Sequence, residues 1–154
     1  MLPLIAQTKS ALIIMHMQGI PKTMQVQPRY TDVVAEISEF FRQQYALAIG
    51  LNIDPMAIAF DPGVGFGKTL DHNLELLAQL ERLRAYDRPL VVGVSRKSFL
   101  GKLIGSPKIS DRLVPGLALS ALLRARGADV FRVHDVRENV YALRVTEAIL
   151  QKAK

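Results

Sequence analysis

The chain has 154 residues, about half of them hydrophobic and 22% charged, and it contains no cysteine. This composition is typical of one globular domain, and it excludes disulfides and thiolate metal sites. Lys and Arg outnumber Asp and Glu by 20 to 14, but the basic residues are scattered, so we expect no nucleic-acid partner. No apolar run reaches the roughly 18 residues of a membrane span. The start lacks the basic segment of a signal peptide, so a cytoplasmic protein is expected.

The opening segment, Met1–Lys9, has the pattern of the end of a helix. Four short apolar runs follow along the chain, and each lacks the apolar/polar alternation of a half-exposed strand. Such runs are typical of strands that are buried on both faces. The predicted strands are Leu12–Met15, Met56–Phe60, Leu90–Val94 and Val130–Val133.

An amphipathic helical pattern follows each predicted strand. Gly50 and Gly127 are the predicted stops of the first and third helices, and Thr69 or Asp71 is the predicted N-cap of the second. The residues that indicate the four helices are, in chain order, Val33, Ile37, Phe40 and Phe41; Leu74, Leu77 and Leu80; Leu113–Arg126; and Val136, Val140, Leu143 and Leu150.

Strands that alternate with helices predict βαβ units and therefore a parallel α/β sheet. Two architectures fit four such units: an open doubly wound sheet, and half of a (β/α)₈ barrel. A complete barrel takes about 250 residues, so this chain would supply only half of one. Periodicity does not choose between them, and in both the functional residues lie at the carboxyl ends of the strands.

The second predicted strand ends in DPGVGFGK, which begins at Asp61. Three glycines in five positions allow positive φ angles and a close approach of the backbone to a ligand. The Asp61 carboxylate is suited to accept hydrogen bonds from a heterocycle or to hold a metal. The alternative is a tight turn in which Asp61 is only a cap.

The third and fourth predicted strands end in polar residues that suit an anion. Ser95, Arg96, Lys97 and Ser98 place two cations and two hydroxyls after a buried strand, although a solvated loop is the simpler interpretation of that motif alone. Two residues of the last strand, Arg132 and His134, alternate with an apolar one and so project to one side. They are candidates for a phosphate clamp.

Two histidines and two methionines have simpler interpretations. His72 lies at a predicted helix start and is expected to be structural. His16, flanked by Met15 and Met17, is either a satisfied buried histidine or part of a site. The two methionines are expected to pack, although a methionine also suits the floor of an apolar ligand pocket.

In chain order, the strand ends resemble those of the dihydropteroate synthase family. The segments that resemble the fifth to eighth strands of that family are ALIIMHMQGIPKTMQ, DPGVGFGKTLDHNLELL, PLVVGVSRKSFLGKLIG and FRVHDVRENV. Residues 1–154 would then form a single partial pterin-binding domain, the C-terminal half of a (β/α)₈ TIM barrel.

The resemblance implies the reaction that joins p-aminobenzoate to 6-hydroxymethyl-7,8-dihydropterin diphosphate and releases pyrophosphate. By matched positions, Asp61 and Lys97 would bind the pterin, and Arg132 and His134 would hold the diphosphate. Lys97, Arg132 and His134 are the residues expected to act in catalysis. The remaining positions implied for substrate binding are Phe66 and Ser98 beside p-aminobenzoate, and Met15 and Gly93 at the pterin slot.

The resemblance also implies Mg²⁺ as cofactor and a homodimer formed through helices of this half. The metal-linked segment of the family has no counterpart in this sequence, so no residue here is assigned as a metal ligand. Three interpretations follow for the chain: a synthase, a non-catalytic fragment that retains only pterin- or diphosphate-binding or dimerisation surface, and a gene fragment with no activity whose motifs are inherited and not used.

Overall fold

Four parallel strands lie side by side in chain order in the computed structural model, which describes residues 1–153. They are β1 (Leu12–Met15), β2 (Ile58–Asp61), β3 (Val91–Val92) and β4 (Val130–Phe131). β1 pairs with β2, and β3 pairs with β4. A parallel bridge between Phe60 and Leu90 joins the two pairs.

This strand order decides between the two predicted architectures. In an open doubly wound sheet the order reverses at a switch point, whereas neighbouring strands of a (β/α)₈ barrel follow the chain. Here the order is β1-β2-β3-β4 with every pairing parallel. The described part of the chain therefore has the arrangement of half a barrel, and the predicted fold class is confirmed.

The described residues contain six α-helices. Their bounds are α1 Leu2–Thr8, α2 Val33–Gly50, α3 Leu70–Ala78, α4 Ser98–Leu103, α5 Leu113–Ala125 and α6 Val136–Leu150. Short 3₁₀ turns span Pro55–Ala57, Leu80–Leu83 and Ser110–Arg112. α5 and α6 pack against each other, and a buried hydrogen bond of 2.8 Å joins Ser120 and Asn139 across that contact.

The helix starts have local causes in the sequence. The Asp32 side chain accepts hydrogen bonds from the first turn of α2, which satisfies backbone donors that lack partners within the helix. Thr69 caps α3 in a capping box, in which the His72 ring accepts a hydrogen bond from the Thr69 N–H. The Thr69 prediction and the structural assignment of His72 are both confirmed.

Several local predictions differ from the structure. The third and fourth strands span only Val91–Val92 and Val130–Phe131, and not the predicted Leu90–Val94 and Val130–Val133, because the ladder between them has two residue pairs. Arg132 therefore lies just after its strand. Met56 lies in a 3₁₀ turn, and the second strand begins at Ile58, because Pro55 and the Asp54 cap start that turn. The short helix α4 follows β3 and was not predicted, since six residues do not define a helical period. α2 ends at Gly50, as predicted, and the left-handed residue that follows the helix is Asn52, with φ of 59°.

The hydrophobic core lies between the sheet and the helices. Phe41 of α2 stacks on Phe60 of β2, with ring centroids 4.6 Å apart, and both side chains are fully buried. Along β1, Leu12 and Ile14 are buried whereas Ile13 is 56% exposed. One face of β1 therefore packs on helices, and the other corresponds to the interior of a barrel.

Among residues 1–153, none of the helices combines the length and the apolar character that crossing a bilayer requires.

Candidate functional site

The carboxyl ends of the four strands bring most of the predicted site residues to one edge of the sheet. Met15 and Asp61 are register partners at the ends of β1 and β2. The chain after β3 carries Lys97, and the chain after β4 carries Arg132. These side chains meet around the segment 61–68, called the glycine turn below.

Asp61 begins the glycine turn and is 2% exposed. Its Oδ1 atom accepts a 2.7 Å hydrogen bond from the N–H of Gly63. Gly63, Gly65 and Gly67 all have positive φ angles, and a Cβ atom on Gly63 would lie 1.8 Å from the carbonyl oxygen of His16. Only glycine fits at position 63. The two predicted interpretations of Asp61 are compatible, because Oδ1 caps the turn while Oδ2 faces the site.

Three side chains outside the glycine turn fix its backbone. Asn73, which is buried in the first part of α3, accepts a 2.7 Å hydrogen bond from the N–H of Gly65. The carbonyl oxygen of Gly65 accepts a 2.6 Å bond from Gln25, and Tyr30 donates to the carbonyl oxygen of Gly67 at 2.9 Å. The turn is therefore held from several directions, as a preformed site requires.

Lys68 ends the glycine turn and is 3% exposed. Its Nζ atom lies 3.0 Å from His16 Nδ1, and it donates to the carbonyl oxygens of Gly63 and Phe66 at 3.1 and 3.0 Å. Burial lowers the pKa of Lys68 to about 8, Asp61 opposes that change, and Lys97 adds to it. Burial, together with the charge of Lys68, lowers the pKa of His16 to about 4. The His16 imidazole is therefore neutral at pH 7.

Lys97 connects the glycine turn to the end of β3. Its Nζ atom lies 3.8 Å from the ring centroid of Phe66, which is cation–π contact distance. Burial lowers the pKa of Lys97, the charge of Arg132 lowers it further, and Asp61 raises it. Lys97 and Phe66 thus form one wall beside Asp61.

Arg132 lies across Gly93 and reaches Asp61. Its Nη2 atom is 3.4 Å from Asp61 Oδ2, although the Arg132 side chain is 57% exposed. A Cβ atom on Gly93 would lie 2.7 Å from that same nitrogen. Gly93 therefore provides the space that the guanidinium occupies.

The polar residues that follow β3 and β4 form the outer rim, which we define as Ser95, Arg96, Lys97, Arg132 and His134. The Ser95 hydroxyl accepts a 3.2 Å hydrogen bond from the His134 N–H and lies 3.1 Å from its Nδ1 atom. All five residues, together with Gly93, line an open cavity of about 480 Å³. Three cationic side chains and an imidazole around one cavity suit an anion.

Arg96 of the outer rim forms an ion pair with Asp135, the residue after His134. The guanidinium of Arg96 donates to both carboxylate oxygens of Asp135, at 2.6 and 3.2 Å. Arg96 has a φ of 58°, which is uncommon outside glycine, and Arg112 donates to its carbonyl oxygen at 3.0 Å. Hydrogen bonds to Arg96 hold the pKa of Asp135 below its usual value.

The structure brings together seven of the eight predicted site residues along one edge. Met15, Asp61 and Phe66 lie at the glycine turn side, and Gly93, Lys97, Arg132 and His134 lie at the rim. Ser98 differs, because it begins α4 and its side chain is exposed.

Two residues of this edge were missed by sequence reasoning. Lys68 and Asn73 are both buried and both bind the backbone of the glycine turn. The available signal was weak: a lysine directly after a glycine run, and an asparagine in the first turn of the next helix.

Within the described residues, no group of three or more His, Asp and Glu side chains is arranged to hold a metal ion. Both oxygens of Asp61, the buried carboxylate of the site, face donors of the chain itself. The residues present do not form a magnesium site by themselves.

Comparison with known proteins agrees with this geometry. Residues 1–134 match the sequence profile of the family described as pterin binding enzyme. The dihydropteroate synthase of Escherichia coli K12 is 46% identical over 145 residues, which are 94% of this chain and 51% of that protein. The dihydropteroate synthase of Neisseria meningitidis serogroup B is 43% identical over 146 residues, with 93% and 51% covered.

Solved structures give the same result. A dihydropteroate synthase from Yersinia pestis in complex with a sulfonamide drug superposes with a TM-score of 0.94 at 40% identity, covering 99% of this chain and 55% of that one. The dihydropteroate synthase of Thermus thermophilus gives 0.91 at 39% identity, with 97% and 60% covered. The chain spans about half the length of the curated relatives it matches. On its sequence and on its fold, this chain belongs to the pterin binding enzyme family.

Proposed function

We propose that this chain carries the pterin- and diphosphate-binding residues of a dihydropteroate synthase, a transferase of folate biosynthesis. The reaction would condense 6-hydroxymethyl-7,8-dihydropterin diphosphate with p-aminobenzoate to give dihydropteroate and pyrophosphate. Residues 1–154 would form one partial pterin-binding domain. The similar proteins are dihydropteroate synthases, which supports the proposal, and the geometry of the strand ends supports it independently.

One observation carries the proposal: a buried carboxylate lies directly beside a cationic rim. Asp61 faces the site through Oδ2, and Arg132 lies 3.4 Å from that atom. A pterin presents ring N–H donors that a buried carboxylate accepts, and its diphosphate presents charges that a guanidinium binds in bidentate fashion. One ligand with both groups would span from Asp61 to Arg132.

The proposed step breaks the C–O bond between the pterin methylene and the diphosphate, and forms a C–N bond to the amine of p-aminobenzoate. The departing diphosphate takes both electrons of the broken bond, and the amine releases a proton. Arg132 and His134 would hold the leaving anion, and Lys97 with Asp61 would hold the pterin. Electrostatic stabilisation of the anion is the largest expected contribution.

Phe66, Ser98, Met15 and Gly93 would complete the substrate sites. Phe66 already forms a wall under Lys97, which suits an aromatic ring, and Met15 lies beside Asp61. Ser98 would contribute only if p-aminobenzoate extends past Lys97 to the start of α4. Magnesium, which would neutralise charge on the diphosphate when bound, would need ligands beyond those described here.

A homodimer is also proposed, supported by large apolar side chains on α5 and α6 that are exposed. Val114 is 74% exposed on α5, and Val145 and Ile149 are 64% and 65% exposed on α6. Light scattering of the purified chain would give the mass directly, and a monomer at high concentration would contradict this part.

The test is pyrophosphate release by residues 1–154 from dihydropterin diphosphate, with and without p-aminobenzoate. Lys97→Ala is the site variant and Lys102→Ala, an exposed lysine on α4, is the matched control. Release that needs both substrates, persists in the control and disappears in Lys97→Ala would support the synthase.

Two other results would change the proposal. Folded protein that binds the pterin diphosphate without turnover would support the alternative of a non-catalytic fragment. Folded protein that neither binds nor reacts would overturn the proposed function for this chain.

A further inference from the structure

The Lys68 side chain belongs to the glycine turn, yet the residue is only 3% exposed. Its ammonium is buried beneath the turn, where His16, the Gly63 carbonyl and the Phe66 carbonyl supply three acceptors within 3.1 Å. An ammonium has three donors and no acceptor. All three donors are therefore used inside the protein, which leaves Lys68 none to offer a ligand.

The three acceptors belong to two segments that shape the site: Gly63 and Phe66 lie in the glycine turn, and His16 lies just after the end of β1. Gly63 carries the N–H that binds Asp61 Oδ1, and Phe66 carries the ring beneath Lys97. His16 follows β1 directly, and its own N–H donates to the Asp61 carbonyl at 3.0 Å. Lys68 therefore ties β1 to the glycine turn at the point where the Asp61 carboxylate is oriented.

We infer that Lys68 is a positioning residue: its buried ammonium holds the glycine turn so that Asp61 faces the bound pterin and Phe66 faces the p-aminobenzoate site. This inference rests on the proposed function for the identity of the ligand. The geometric part, the orientation of the glycine turn by Lys68, stands on the contacts alone.

Several charged and titratable groups face Lys68 from the elements packed around it. They are His16 after β1, Tyr30 before α2, Asp61 in the turn and Lys97 after β3. Asp61 is the one carboxylate among these four. The ammonium is therefore held mainly by neutral acceptors, and removing its charge would leave carbonyl groups beneath the turn without donors.

The absence of cysteine from the sequence allows a chemical test at this position alone. The Lys68→Cys variant is unfolded, alkylated with 2-bromoethylamine and refolded, which forms a C–S bond, releases bromide and restores an ammonium at the same length. A second sample is alkylated with bromoethane and carries a neutral ethyl group instead. The two samples differ only in the ammonium.

The first readout is binding of 6-hydroxymethylpterin, followed by its fluorescence. We expect the ethyl sample to bind about tenfold or more weakly than the unmodified chain, the usual effect of losing a buried charged hydrogen bond. The aminoethyl sample should recover most of that loss. Equal binding by the ethyl and aminoethyl samples would overturn the inference.

The second readout does not need a ligand, so it separates this inference from the proposed function. In ¹⁵N NMR spectra, His16 Nδ1 should show an unprotonated nitrogen that accepts a hydrogen bond in the unmodified and aminoethyl samples. The amide signals of Gly63, Gly65 and Gly67 should move only in the ethyl sample. If the unmodified chain binds no pterin, the proposed function fails, and these signals still decide the role of Lys68: unchanged glycine signals in the ethyl sample would contradict it.

Should the ethyl sample fail to refold while the aminoethyl sample folds, the ammonium is required for the fold as a whole. Lys68 would then be structural rather than positioning, which also overturns the inference.

Discussion

The glycine turn and the outer rim lie next to each other and are built in opposite ways. In the glycine turn, Asp61 and Lys68 are buried and their polar atoms are engaged by the chain itself. In the outer rim, the side chains of Arg96 and Arg132 are 44% and 57% exposed. An ion pair between Arg96 and Asp135 holds the outside of the rim.

The glycine turn therefore provides the shape of the site, and the outer rim provides its charge. A buried turn whose side-chain charges and several backbone groups are bonded within the chain is expected to keep its geometry whether or not a ligand is present. An exposed set of cations keeps its charge but can adjust its geometry, as long flexible side chains do. We therefore expect changes in the glycine turn to act on stability, and changes in the rim to act mainly on anion binding.

The largest expected effect is that of Gly63→Ala. Its φ of 65° and a Cβ position 1.8 Å from the His16 carbonyl oxygen combine backbone strain with a clash against backbone. We expect a loss of about 3 kcal/mol in the free energy of unfolding, from left-handed strain and overpacking together. Denaturant unfolding measures it.

Gly105→Ala is the matched control for that clash. Gly105 has nearly the same φ, 66°, but no atom lies within 4 Å of its Cβ position. Strain alone should cost about 1 kcal/mol there. Equal losses for the two variants would mean that the close approach of His16 to the glycine turn does not matter.

Replacing Asn73 by Ala should have the next largest effect. The N–H of Gly65 would lose its acceptor, which costs about 1–2 kcal/mol for a partly buried donor. Gln43→Ala removes an exposed side-chain hydrogen bond to Glu39 and should change stability little. An equal loss of unfolding free energy in Gln43→Ala and Asn73→Ala would mean that the bond from Gly65 to Asn73 does not stabilise the glycine turn.

Lowering the pH should weaken the glycine turn through His16. Its pKa in the folded chain, about 4, lies below the ordinary 6.5, so the unfolded chain binds the proton more readily between these values. The stabilisation from neutral His16 is complete above pH 6.5 and is lost as the pH falls through about 4. Denaturant midpoints measured between these pH values should fall less steeply in His16→Gln, and an unchanged slope would contradict the assignment.

The smallest expected effect belongs to the ion pair of the rim. Arg96→Gln should lower the melting temperature slightly, and salt near about 1 M should remove the difference, because exposed charges are screened. The pKa of Asp135 is held below its usual value by Arg96, so this contribution is present near neutral pH and is lost under acid conditions. A difference that persists in high salt would indicate that the rim is more rigid than its exposure suggests.

The sequence predicted the strands and the chemistry at their ends, because both are local. β1 has the predicted bounds, and α5 ends just before Gly127 as expected. Asp61, Lys97 and Arg132 were found because unusual residues follow apolar runs. Their convergence required only the rule that parallel strands end at one edge.

The contacts across the chain could not be predicted in the same way. Lys68 and His16 are 52 positions apart, and no periodicity connects them. The bond between Arg96 and Asp135 joins two loops 39 positions apart. Such pairs depend on the angle at which each loop leaves its strand, and that angle is set by packing and not by residue type alone.

The contact between Arg132 and Asp61 has a consequence for how a ligand would enter. If the proposed pterin binds Asp61, its ring donors take the place that the guanidinium occupies, and the guanidinium is free to turn toward the diphosphate. Binding would then be an exchange of partners, in which the carboxylate is not left unpaired at any stage. The pterin ring would bind Asp61 first, and Arg132, released from that carboxylate, would then bind the diphosphate.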